Sequence, residues 1–198
     1  MTRAVVLGVC LAALCAVASG CAAAKKARAA PEVSCPKAAQ PGWQALANKI
    51  GGPVYCPSWM PDPLDGVIGS RWSNIDSVSK DGSYLEGWVW QEVGSGELHV
   101  NLRGYRGRTA IPKCPGDSRR VVPCFADPRG HVHAGAIDAT VYTVNQGADQ
   151  WHVLYAWRRD GSLYTLSEHV APPLNYTKVR AYLDRMLRGL VLVEPTSA

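Results

Sequence analysis

Four groups of residues have side chains and spacings that chemistry could use. His131-Val132-His133 sets two imidazoles two positions apart. On a strand alternate residues share a face, so both rings could meet one ion. Zinc would want a third ligand, for which His152 and His169 are the candidates. The favoured reading of the pair is two exposed polar positions opening a strand beside Gly130, and no metal ligand is assigned. Ser118, in Gly116-Asp117-Ser118, offers a hydroxyl nucleophile, but no Gly-x-Ser-x-Gly elbow occurs in the chain. Glu86 lies near Trp88 and Trp90, a grouping that suits a sugar-cleaving cleft, yet no second acid stands at a spacing that would pair with it, and an exposed strand-edge Glu is the favoured reading. Tyr84, Trp88 and Trp90 share one strand face. They form a candidate stacking platform for a glycan or peptide, or else the bulk of a core. The chain's aromatic balance, seven Trp and eight Tyr against one Phe, makes either use natural, because Trp and Tyr combine a large apolar body with a polar handle. No catalytic residue and no cofactor is assigned.

The cysteines carry a different chemistry. Of the seven, Cys10 and Cys15 lie in an apolar run from Ala4 to Gly20, and Cys21 follows directly. Small residues, a Gly and then a Cys at the end of an apolar run that follows a basic start form a processing signal. Ala18-Ser19-Gly20-Cys21 resembles the lipobox of bacterial lipoproteins, with Ala18 where that family usually has Leu. The resemblance covers only the first 21 residues. It implies that residues 1–20 are removed and that Cys21 becomes the acylated, palmitate-bearing first residue of the mature protein. An ordinary secretory signal and an uncleaved membrane helix are the competing readings, and all three put the rest of the chain outside the cytoplasm.

Four cysteines then remain: Cys35, Cys56, Cys114 and Cys124. An even number in an oxidising compartment favours disulfides. Three connectivities exist. Cys35–Cys56 with Cys114–Cys124 is favoured, because each pair flanks a loop-like stretch, and a four-thiolate zinc site lacks the usual two-residue spacing.

Net charge excludes one class of partner. The formal charge of +5 includes Arg3 in the signal and Lys25, Lys26 and Arg28 in the following stretch, partly offset by Glu32. After residue 34 there remain 17 basic and 15 acidic groups, which is too even for a nucleic-acid groove. The charges near Cys21 suit anionic lipid headgroups instead.

The elements that must position these residues follow in chain order. Residues 21–34 have no apolar stripe and read as a flexible tether. After Pro41, Trp43, Leu46, Ala47 and Ile50 recur at helical spacing, and Gly51-Gly52 stops the helix. Four prolines between 53 and 63 enforce an extended segment. Its Pro-Val-Tyr-x-Pro-x-x-x-Pro pattern resembles the entry segment of uncharacterised extracytoplasmic bacterial domains. From Tyr84 the period is two. Leu98, Val100 and Leu102 then alternate with His99, Asn101 and Arg103 beyond Gly94-Ser95-Gly96, which predicts a hairpin. An irregular excursion is expected from Gly104 to about Gly130. Strands follow at 137–144, 151–159 and 162–169, the last two joined by Asp160-Gly161 as a type I′ turn. The 151–159 strand is apolar on both faces and is expected to be central. Asn175 caps a final helix with a stripe of Val179, Leu183, Met186, Leu187 and Leu190, ended by Gly189.

The sum is an α+β domain over residues 35–195: an antiparallel sheet with the C-terminal helix packed on one face and a short N-terminal helix. Gly116-Asp117-Ser118 resembles the nucleophile block of a lipase family, but Arg119 stands where that family has Leu. The functional expectation is a non-catalytic binding or accessory domain, lipid-anchored through Cys21 on the outer face of the cell membrane. Its partner would be an envelope protein or glycan, not nucleic acid. The alternative is a small cell-envelope hydrolase acting on wall glycan or peptide, with Glu86 or a histidine at its centre. Convergence of two among Glu86, His99, His131 and His133 would favour that alternative.

Overall fold

The alternating segments do what their period demands and pair into one antiparallel sheet. The computed structural model describes residues 33–92, 96–115, 120–145 and 151–196. Cys21, the tether through residue 32, the 94–95 turn and the Gly116-Asp117-Ser118 block lie outside the described residues. The architecture is α+β. Two helices, α1 (Gln40–Ile50) and α2 (Tyr176–Arg188), cover one face of the sheet. No helix among the described residues is long and apolar enough to cross a membrane.

Seven strands make the main sheet: β2 (Ser73–Val78), β3 (Tyr84–Glu92), β4 (Gly96–Tyr105), β7 (Pro128–Ala134), β8 (Ile137–Asn145), β9 (Trp151–Arg159) and β10 (Ser162–His169). Their order across the sheet is β2-β3-β4-β10-β9-β8-β7. β9 is interior, as its two apolar faces require, but its neighbour β10 is the strand buried along its whole length. Asp160 and Gly161 both have positive φ, 48° and 73°, the conformation a two-residue type I′ turn needs.

Four elements depart from the sequence expectation. The excursion after Gly104 is not wholly irregular: β5 (Lys113–Pro115) and β6 (Val121–Pro123) form a small hairpin, and β7 begins at Pro128. β2 has no apolar alternation and gave no strand signal. The extended segment after Pro53 contains β1 (Val54–Pro57), which pairs antiparallel with β11 (Leu190–Val193). Leu190 therefore belongs to a strand and not to the stripe of the last helix. Gly189 does end α2, but at φ −99°. A Cβ there would stand 2.6 Å from Ser58 Oγ, so that hydroxyl would have to turn aside.

Both disulfides link the expected partners, Cys35–Cys56 and Cys114–Cys124. Asn175 caps α2 as expected, accepting from Lys178 N–H at 2.9 Å. Under the helices the core is aromatic. Trp43 packs on Trp88, and Tyr55 sits edge-on to both Trp157 and Tyr164. Two of these rings spend their polar handle on backbone: Trp43 Nε1 donates to Gly66 O at 2.9 Å, and Tyr164 OH to Pro53 O at 3.1 Å.

Candidate functional site

The two faces of the sheet have different fates. On the helix-covered face, Trp88, Val100, Glu168 and Val153 lie in one cross-strand row, and Glu86, Leu102, Leu166 and Tyr155 in the next. Tyr84, Trp88 and Trp90 point into this layer and are all but fully buried. They are core, and the stacking-platform expectation is corrected: a sheet under two helices needs their bulk, and no ligand can reach them.

Glu86 shares that face and is only 2% exposed, so it is not an exposed strand-edge acid. Burial pushes its pKa up to about 8, helped by Asp76 directly opposite on β2 and opposed by Lys49 of α1. A second acid, Glu168, is fully buried beside Val100 and Val153, and burial raises it to about 8 as well. Neither of its carboxyl oxygens has a hydrogen-bond partner among the described residues. The two acids stand two strands and two residues apart, roughly 12 Å by strand spacing and rise. Both are roofed by the helix layer. Sequence reading missed Glu168 because it sits one position out of phase with the polar face of its own strand.

The opposite face carries a cleft of about 200 Å³. β4 supplies His99, Asn101 and Arg103 to it, because these alternate with the core residues Leu98, Val100 and Leu102. From β10 come Ser167 and Thr165, and from β9 His152 and Leu154. The Cys114–Cys124 disulfide and Phe125 close one side. Phe125 packs edge-on to Tyr142 at 4.9 Å, so a second, smaller apolar cluster anchors the β5–β6 cover to the sheet. Asn101 is 9% exposed, and its Oδ1 has no hydrogen-bond partner among the described residues. Gly87 lies opposite it on β3. A Cβ at that glycine would come within 2.7 Å of Asn101 Oδ1, so the glycine makes the room the amide occupies. Arg103 is exposed and makes no ion pair among the described residues.

At one end of the cleft three histidines meet. His169 faces His152 across the β9–β10 hairpin. Glu168 faces Val100, which sets His169 beside His99 as well. The ring centroids form a near-equilateral triangle with sides of 4.6, 5.1 and 5.2 Å. His99 Nε2 and His152 Nε2 are 3.1 Å apart, one donating and one accepting according to tautomer. Burial drives the His99 pKa down to about 4, with further depression by His169 and Arg103. It drives His152 down to about 3, with His99, His169 and Arg103 adding to it. Both rings are therefore neutral at neutral pH.

His131 and His133 do not join this group. Both are exposed on β7, the sheet edge, beside Thr140 and Asp138 of β8. From His152 they stand two strands away and four (His131) or six (His133) residues along, about 16 and 22 Å. His152 and His169, the proposed third ligands for that pair, instead partner each other and His99. Glu86, His99, His131 and His133 do not converge in any pair: Glu86 faces the helices, His99 faces the cleft, and the other two sit at the far edge.

The turn could have shown half of the triangle. In a two-residue hairpin the facing residues have a constant sum of numbers, here that of Arg159 and Ser162. His152 and His169 share that sum. Nothing local shows that β4 pairs with β10, so His99 was out of reach. No protein-family description, no curated protein and no solved structure matches this chain.

Proposed function

We infer that the chain is a non-catalytic binding domain of the bacterial envelope, held on the outer face of the cell membrane by lipid on Cys21. Its cleft takes one small acidic unit of a wall glycan or peptide. The observation that carries this reading is the polar cleft in which Asn101, whose buried Oδ1 has no hydrogen-bond partner among the described residues, stands beside Arg103. A buried polar group left unmade costs about 1–3 kcal/mol, and a ligand donor would recover that. Arg103 supports the acidic character of the ligand, since a guanidinium offers a forked donor to a carboxylate. Two disulfides suit an oxidising compartment, and the near-neutral domain leaves selectivity to the cleft.

The test is calorimetric titration of the full-length protein with soluble muropeptides, followed by chromatography of the recovered ligand. Binding weakened about tenfold or more in Arg103→Ala, with the ligand recovered intact, is the expected result. Absence of binding overturns the reading, and cleavage replaces it with the hydrolase. Labelling cells with radioactive palmitate checks the anchor. The wild-type protein is expected to be marked and Cys21→Ser unmarked, and an unmarked wild type removes the lipid.

A further inference from the structure

The triangle of His99, His152 and His169 has the dimensions of a metal site. In a tetrahedral zinc site, ligand nitrogens lie about 2.0–2.1 Å from the ion, so any two are ~3.3–3.4 Å apart. The centre of each imidazole then lies ~3.2 Å from the ion, and two ring centres are ~5.2 Å apart. The observed centroid separations are 4.6, 5.1 and 5.2 Å, and His99 Nε2 and His152 Nε2 are 3.1 Å apart.

As the rings are now turned, no group of three or more His, Cys, Asp or Glu among the described residues is arranged to hold a metal ion. The rings lie partly stacked, with interplanar angles of 20° to 50°. Turning about χ2 re-aims a ring nitrogen with little displacement of the ring centre. That torsion is broad for histidine, so the spacing of the centres decides more than the present aim of each nitrogen. The three strands hold those centres firmly: β10 is buried throughout and is bonded to β4 on one side and β9 on the other.

We propose that His99, His152 and His169 bind one late first-row transition-metal ion, zinc or copper(II), at the end of the cleft. Three imidazoles suit that class of ion and no hard cation. Three protein ligands leave a fourth position open. Asn101 and Ser167 form the next cross-strand row, so the triangle adjoins the part of the cleft that Asn101 and Arg103 line. The proposal rests on the reading of this face as the binding face, and it names the ion against which an acidic ligand would be held.

The experiment is titration of the metal-stripped full-length protein with zinc, and separately with cobalt(II) as a visible-absorption probe. One equivalent of zinc is expected to bind, and cobalt should give the intense d–d bands of a four-coordinate site. His99→Ala and His152→Ala should each lower affinity by at least about 100-fold. The double variant His131→Ala/His133→Ala should leave affinity unchanged. His99→Gln and His152→Asn, with thermal melting compared, guard against loss of fold: a variant that melts like the wild type yet still binds zinc as tightly overturns the site. So does absence of stoichiometric zinc in the wild type, or dependence on His131 and His133. Muropeptide titration with and without zinc separates the two readings. Zinc bound at the triangle without muropeptide binding keeps the metal site and removes the wall ligand. The converse removes the metal site alone.

Discussion

Glu86 shows what burial does to a single residue. Its carboxyl keeps a proton to about pH 8 in the fold and loses it near the ordinary 4.5 when unfolded. Between those values the unfolded chain binds fewer protons than the folded one, so stability falls as pH rises. The contribution is full below about 4.5 and is lost on climbing through about 8. Glu86→Gln mimics the protonated form. It is expected to match the wild type in urea denaturation at pH 4.5 and to exceed it by roughly 1–3 kcal/mol at pH 8. Equal midpoints at both pH values would show that Glu86 is solvated. The sequence located Glu86 on the same face as Trp88 and Trp90 correctly. It could not say which side of the sheet the helices would choose, so an acid that reads as an exposed strand-edge residue is core.

At the scale of elements, the strongest local patterns were the ones that became structure. The β3–β4 alternation, the Asp160-Gly161 hairpin, and the helix from Asn175 to Gly189 each depend on neighbours in sequence and were legible for that reason. β2, with Ser73, Asn74, Asp76 and Ser77 among six residues, owes its existence to the free edge of β3 and not to any pattern of its own. The β5–β6 hairpin is a different case. Val121 and Val122 are exposed, so the hairpin strands bury little apolar surface of their own, and the Cys114–Cys124 bond adds to the small apolar cluster around Phe125 that anchors them. Closing a loop of ten residues restrains the unfolded chain by about 2–3 kcal/mol. The double variant Cys114→Ser/Cys124→Ser is expected to melt at a lower temperature. It should also show faster amide exchange across 111–125 while β9 and β10 stay protected. Loss of protection throughout the sheet would mean that the hairpin is part of the core.

For the whole molecule, the pairing that mattered most was the one farthest apart in sequence. β1 and β11 join residues 54–57 to 190–193, and no local signal reports a contact of that range. The bond is reinforced beside it: Gln44 Nε2 donates to Glu194 O at 2.8 Å, and Thr196 N–H to Asn48 Oδ1, also at 2.8 Å. Removing residues 190–198 would bare the edge of β1, which is buried along its length. It is expected to lower the unfolding free energy by at least about 3 kcal/mol and to promote association through the open edge. An unchanged urea midpoint in a monomeric product would count against the clamp. This closure also fixes how the domain can be held. Residues 33–35 enter beside Cys56, the last described residues lie against α1, and the histidine triangle looks out through the other face of the sheet. A sensor chip that grips the domain beside Cys35 or beside Thr196 would leave its mouth turned toward the flowing sample.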